Sequence, residues 1–133
     1  MQELEKLIFP KILDDRGNLS FIEDCVHIPF KIRRVYWIYD VPGGEIRGGH
    51  AYKKLEEVII ALSGSFQVVI TDTSGNKKSI VLNKSYEGLY LPKLTWRYLK
   101  SFSTNSVGLI LSSRPFEEND YIRDFDKFRN FIP

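Results

Sequence analysis

Apolar and polar positions along the chain fall into short runs, each about one β-strand long and each closed by a turn. Residues 32–39 are rich in β-branched and aromatic side chains and stop at Asp40-Val41-Pro42-Gly43-Gly44. Residues 57–62 read as a continuous apolar strand closed by Ser63-Gly64-Ser65. Residues 66–71 lead into the turn Asp72-Thr73-Ser74-Gly75-Asn76, and 77–82 resume the strand. Residues 88–92, 96–102 and 107–112 complete the set. Strands at intervals of roughly 8–12 residues with polar turns between them predict an all-β sandwich or barrel. No amphipathic helix of about 10–15 residues separates them, which argues against a βαβ layout.

Two stretches carry a helical signal. In 117–131, Tyr121, Phe125 and Phe128 recur at spacings of four and three, placing three rings on one helical face. Phe131 or Ile132 extends it, and the expectation is a short C-terminal helix packed on the barrel or a partner. Residues 3–7 are ambiguous between a helical turn and the start of a strand.

Composition narrows the class. A chain of 133 residues is expected to form a single domain over 1–133. Its 43% hydrophobic and 27% charged residues match soluble globular proteins. The longest apolar run, 58–62, is far too short to cross a bilayer. The first residues are acidic and lack the basic-then-apolar order of a signal peptide. The single cysteine, Cys25, excludes an internal disulfide. The expectation is a cytoplasmic protein with no membrane partner. A net charge of +2 from 19 basic and 17 acidic residues is too balanced for a dedicated nucleic-acid binder. It leaves room for a local cationic pocket holding a small anion.

The chemistry concentrates in Gly44-Glu45-Ile46-Arg47-Gly48-Gly49-His50-Ala51-Tyr52-Lys53-Lys54-Leu55-Glu56-Glu57. Its spacing resembles the first cupin motif: glycine, five residues, His-x-His, then Glu and a later glycine. Tyr52 stands where that motif has its second His, Glu57 takes the Glu position and Gly64 the glycine. In the second motif, Pro92-Lys93-Leu94-Thr95-Trp96-Arg97 puts Arg97 in the histidine position. A neutral phenol is a poor metal ligand, and a guanidinium is a permanent cation that does not coordinate. No catalytic metal and no cofactor are expected. His50 titrates near neutrality and both takes and gives protons. Tyr52, two residues on, faces the same side of a strand, suited to relaying a proton. Arg97 is suited to stabilising an oxyanion or holding a phosphate. His50, Tyr52 and Arg97 are therefore the candidate catalytic set.

With these residues in place, the whole chain resembles the WxcM-like sugar 3,4-ketoisomerases, which belong to the cupins. The likeness runs from Asp15-Arg16-Gly17 through Ile28-Pro29-Phe30, Arg33-Arg34-Val35-Tyr36, Arg47-Gly48-Gly49-His50-Ala51, Leu62-Ser63-Gly64-Ser65, Gly88-Leu89-Tyr90 and Trp96 to Asp120-Tyr121-Ile122-Arg123-Asp124. It implies a cupin-type β-barrel (jelly roll), usually a homodimer in which N-terminal strands exchange. It implies a dTDP-linked 4-keto-6-deoxy sugar as substrate. A base removes the C3 proton, an enediol forms, and a proton returns at C4 to leave a 3-keto sugar, the precursor of 3-amino-3,6-dideoxy sugars. His50 matches the histidine thought to move this proton. Many members read His-x-His where this chain has His50-Ala51-Tyr52. Some carry His at the position of Arg97, which is expected to bias the face of C4 that is protonated.

The nucleotide needs its own contacts. Forked guanidinium groups suit a diphosphate, and the candidates are Arg16, Arg34, Arg47 and Arg123. Thymine stacking falls to Tyr36 or Tyr90, Trp96 joins the substrate-binding set, and Glu57 is a partner for a sugar hydroxyl or for His50. Two other readings stay open. One is a nucleotide-sugar 3,5-epimerase, whose product keeps its ketone at C4. The other is a non-catalytic sugar-nucleotide-binding cupin.

Overall fold

Two five-stranded antiparallel sheets face each other and enclose the interior of a computed structural model that describes Leu4 and residues 6–133. The first sheet has the order β1 (Lys6–Ile8), β9 (Glu87–Leu91), β6 (Glu57–Ser63), β11 (Val107–Ser112) and β4 (Arg34–Ile38). The second has the order β12 (Tyr121–Ile122), β5 (Arg47–Tyr52), β10 (Trp96–Lys100), β7 (Phe66–Thr71) and β8 (Lys77–Leu82). A small separate hairpin pairs β2 (Lys11–Ile12) with β3 (Leu19–Ser20). This is the all-β architecture expected from the spacing of strands and turns, in the jelly-roll form that the family resemblance implies.

Strand alternation decides what points inward. Along β10, Arg97 and Leu99 are buried while Trp96, Tyr98 and Lys100 are only partly covered, the period of two that a pleated strand imposes. The main core gathers Ile38, Ile59, Phe66, Val68, Ile70, Leu89, Leu99 and Ile110 between the two sheets. A second cluster, with Phe9, Ile28 and Phe30 from the N-terminal segment, covers the outer face of the first sheet at Val58 and Ile60. Burial of roughly 1.5–3 kcal/mol of apolar side chain per residue makes these two clusters the main source of cohesion.

The tail differs from the helix expected over 117–131. Glu118–Asp120 is one 3-10 turn, Tyr121–Ile122 is strand β12 on the edge of the second sheet, and only Phe125–Arg129 is helical (α1). Asp120 explains the break. It is buried, and its carboxylate accepts the backbone N–H groups of Lys54 and Leu55 at 2.9 and 3.1 Å. The chain leaves its turn there and runs extended over Tyr121–Ile122 to pair with β5. Asp124 then caps α1 by accepting from the N–H of Lys127 at 2.9 Å, a favoured N-cap arrangement. The three-ring face is not formed as expected: Phe128 is buried with Ile122 and Ala51, and Tyr121 faces elsewhere. Of the ambiguous stretch 3–7, Glu3 and Glu5 lie outside the described residues, and its end belongs to strand β1.

Candidate active site

A cavity of about 510 Å³ opens at one end of the barrel interior, lined by Arg34, Tyr36, Arg47, Gly48, His50, Arg97, Tyr121 and Arg123 together with Trp37, Ile38 and Tyr39. Its residues come from β4, β5, β10 and the β12 edge. The pairing register explains their meeting. His50 lies directly opposite Arg97 across β5 and β10, and Tyr52 lies opposite Tyr121 across β5 and β12.

A buried ion pair sits behind the lining. Arg97 and Glu57 are each only 2% exposed, and Arg97 Nε donates to Glu57 Oε1 at 2.7 Å. Arg97 Nη2 donates to the Tyr36 hydroxyl at 3.0 Å and to Glu57 Oε2 at 3.4 Å. Arg97 Nη1 donates to the Gly48 carbonyl at 3.0 Å. Gly48 has φ +78°, and a Cβ there would collide with the Arg97 guanidinium. Only glycine accepts both conditions at no steric cost. Burial by itself lowers the basicity of Arg97. Glu57 and the neighbouring phenols more than offset this, and the group is held above its ordinary value as a permanent cation.

His50 packs against this charge. It is 8% exposed, and its Nε2 lies 2.9 Å from the Tyr52 hydroxyl. Tyr52 donates in turn to the Tyr121 hydroxyl at 3.4 Å. The three rings form one cluster with centroids 4.7–5.0 Å apart. Burial first, then the positive charges of Arg97 and Arg123, pushes the His50 pKa from 6.5 down to about 2. His50 is thus a neutral imidazole throughout the ordinary pH range. Burial and the Glu57 carboxylate push the Tyr36 phenol up to about 12, and the same two causes raise Tyr52 further. Both phenols stay protonated.

Around the cavity the charge is positive. Arg34 stacks over the rings of Tyr36 and Phe116, at 4.6 and 5.4 Å. Its Nη1 is buried without a hydrogen-bond partner among the described residues. A desolvated donor left unpaired is costly, and an anionic ligand oxygen in this cavity would satisfy it. Arg123 lies 4.1 Å over the Tyr121 ring and is held by Glu118 through bonds of 2.7 and 3.0 Å. Arg47 completes the cationic lining. Among the described residues, no group of three or more His, Cys, Asp or Glu side chains gathers as a metal cage.

Most of the residues singled out from the sequence meet here. His50, Arg97, Arg34, Tyr36, Arg47 and Arg123 line the cavity, while Tyr52 and Glu57 lie one layer behind, bonded to His50 and Arg97. Three do not join them. Arg16 sits on the β2–β3 hairpin, exposed, with both guanidinium bonds spent on Asp14 at 2.8 and 3.0 Å. Tyr90 packs beside the second apolar cluster and donates to Glu56. Trp96 alternates out of the barrel and stacks on Phe125 and Phe128 of α1, at 5.3 and 5.8 Å. Sequence reasoning missed Tyr121 as a site residue because its ring spacing read as a helix face. The available signal was the alternation of Tyr121 and Arg123 around Ile122 in a short extended segment.

Comparison with known proteins gives consistent relatives. A family model described as FdtA: WxcM-like, C-terminal, matches residues 2–133. The TDP-4-oxo-6-deoxy-alpha-D-glucose-3,4-oxoisomerase of Aneurinibacillus thermoaerophilus is 44% identical over 125 residues, covering 93% of this chain and 88% of that protein. A variant of the 3,4-ketoisomerase QdtA from Thermoanaerobacterium thermosaccharolyticum, solved with TDP-4-keto-6-deoxyglucose, is 36% identical with a TM-score of 0.94, covering 98% of this chain and 94% of that one. The dTDP-4-dehydrorhamnose 3,5-epimerase of Bacillus anthracis shares the fold at a TM-score of 0.79, with 16% identity over 90% of this chain and 77% of that one.

Proposed function

The chain belongs to the WxcM-like FdtA family, and on that premise we propose that it moves the keto group of dTDP-4-keto-6-deoxyglucose from C4 to C3. The observation that carries this reading is the neutral, buried His50, held at Nε2 by Tyr52 and facing a cavity lined with guanidinium groups. A neutral imidazole is available to take the C3 proton, which the adjacent ketone acidifies. Charge developing on O4 falls within the field of Arg97, whose orientation is fixed beforehand by Glu57, Tyr36 and Gly48. Such a prearranged cation stabilises the negative charge that builds on O4 in the transition state without reorganising during the reaction. Arg34, Arg47 and Arg123 are the groups that hold the diphosphate, and Tyr36 is a wall against which the sugar or base packs.

No metal takes part in this scheme. The carboxylate that a metal cupin would use is bonded to Arg97, and two of the motif's histidine positions hold a phenol, Tyr52, and a guanidinium, Arg97. The product is a 3-keto sugar nucleotide, suited to an aminotransferase that installs a 3-amino group. The ketoisomerase relatives at 44% and 36% identity favour this reading over a 3,5-epimerase, whose likeness extends to the fold alone.

A homodimer completes the proposal. Trp37, Leu109 and Ile60 lie in one row across β4, β11 and β6, with Leu62 nearby. Trp37 is 59% and Leu62 48% exposed. The hairpin beside this face exposes Ile12, Leu13 and Leu19. Apolar rows on a sheet with an open edge are a surface that a second copy covers. Sedimentation should give a dimer for the parent protein and a monomer for Trp37→Glu; a monomeric parent removes the proposal.

The direct test is incubation of the EDTA-treated protein with dTDP-4-keto-6-deoxyglucose in deuterated water, followed by NMR at C3 and C4. A 3-keto product is expected, and His50→Asn should reduce its rate about 10³-fold, within the range for a lost acid–base group. A ketone retained at C4 with an inverted neighbour would indicate the epimerase. Binding of dTDP without C3 exchange would leave a binding module, the reading that the replacement of the second motif histidine by Tyr52 favours.

A further inference from the structure

We propose that Tyr121 is the acid–base group for the substrate's oxygens, joined to His50 through the hydroxyl of Tyr52, so that carbon and oxygen protons move at two ends of one hydrogen-bonded chain. This rests on the ketoisomerase reading and deepens it. Moving a ketone from C4 to C3 requires two separate transfers. One proton leaves C3 and one arrives at C4; a second arrives at O4 and leaves O3. His50 serves the carbon pair. A different group must serve the oxygens.

Tyr121 is placed for that work. It lines the cavity with His50, whereas Tyr52, only 4% exposed, lies behind them and bridges the two. Of the other phenols that line the cavity, Tyr36 is tied between Arg97 and Glu57, and Tyr39 is 59% exposed and outside the His50–Tyr52–Tyr121 ring cluster. His50 Nε2 is engaged by Tyr52 at 2.9 Å, which leaves Nδ1 for the substrate. The neutral tautomer with its proton on Nε2 fits this arrangement: Nε2–H donates to Tyr52, and Tyr52 donates to Tyr121.

The steps balance without any other reactant. In the first half, the C3–H bond breaks and its proton goes to His50 Nδ1, while the electron pair forms the C3=C4 bond. The π pair of the ketone moves to O4, which takes the Tyr121 proton. Tyr121 is refilled from Tyr52, and Tyr52 from His50 Nε2. The imidazole ends neutral, as the other tautomer, beside a neutral enediol. In the second half, Nδ1 returns its proton to C4 and the O3–H pair closes the C3 ketone. The O3 proton goes to Tyr121, and the chain shifts back to restore Nε2–H. No imidazolium forms at any stage. That matters because burial and the charges of Arg97 and Arg123 set the His50 pKa at about 2, so a site that had to hold the cation would stall. Tyr52, Tyr121, Arg97 and Arg123 are the groups that face the imidazole.

The test is a double-mutant cycle of Tyr121→Phe and Tyr52→Phe, which keep the rings and remove the hydroxyls. Each single variant should lower kcat about 10²-fold or more while the dTDP dissociation constant stays within about twofold. The double variant should be no slower than the worse single one, because one broken link already opens the chain. In mixtures of light and heavy water, the parent rate should bow below a straight line, as several protons in flight require, and Tyr121→Phe should lose the bow. Near-parental kcat in Tyr121→Phe, or multiplicative losses in the double variant, would overturn the relay. Failure of the parent protein to form a 3-keto product would instead overturn the ketoisomerase reading.

Discussion

The two ends of the barrel interior are built by the same strands and filled in opposite ways. On β6, Glu57 belongs to the cavity end, and Ile59 and Ala61, two and four residues on, belong to the apolar core. On β10, Arg97 stands at the cavity end and Leu99 in the core. Each step of two residues keeps the same face yet passes from charge to hydrocarbon. In the core, side chains interdigitate and need only complementary volume. At the cavity end, the groups are tied by hydrogen bonds with fixed lengths and directions, and their charges are out of water. The core therefore supplies stability, and the cavity end spends part of it on a prearranged field. A buried ion pair of this kind gains little net stability, but removing one partner alone is severe.

The largest effect should come from breaking that pair. Glu57→Leu leaves Arg97 buried without its carboxylate and should destabilise the protein by about 3–5 kcal/mol, with isomerase activity lost in the fraction that stays folded. In contrast, Leu99→Ala, one step along the same face, should cost about 3 kcal/mol through the cavity it leaves, with activity per folded molecule retained. Denaturant midpoints combined with turnover per folded molecule separate the two outcomes. Equal retention of activity in both variants would dissolve the distinction between the ends.

The smallest effect sharpens the comparison through pH. The His50 pKa lies at about 2 in the folded protein against an ordinary 6.5, so between these values the unfolded chain binds the extra proton. Stability therefore falls as pH drops below about 6.5, by at most about 1.4 kcal/mol per pH unit from this group. His50→Asn should flatten that part of the profile, and Leu99→Ala should leave its slope unchanged. A parent profile that stays level from pH 7 to 5 would mean that His50 is freely hydrated and takes up its proton in the folded protein.

Much of the fold is legible in the order of residues, because a strand's period of two and its turn residues are written locally. The strands that the pattern marks between residues 32 and 112 lie close to where it puts them, whereas β5 (Arg47–Tyr52), which carries His50, is not among them. The tail departs from its pattern for an equally physical reason. Tyr121, Phe125 and Phe128 have helical spacing, but the buried Asp120 carboxylate, bonded to backbone N–H groups 65 and 66 residues away, pulls the chain straight. Long-range pairing of that kind leaves no periodic trace. The same holds for Trp96 and Tyr90. Their types suit a ligand pocket, and only the packing on α1 and the bond to Glu56 assign them elsewhere.

The sequence by itself determined most of the strand pattern, the histidine at a cupin-like spacing and the phenol and guanidinium at two positions where the cupin motifs have histidines, since each depends on residue type and local order. Only the tertiary structure decided that Arg97 is locked to Glu57, that Tyr121 joins Tyr52 and His50, and that Arg16 stands apart on its hairpin. Those facts depend on cross-strand register and burial. Register is set by all the strands packing at once, and burial is what turns an ordinary histidine into one that stays neutral beside two guanidinium groups.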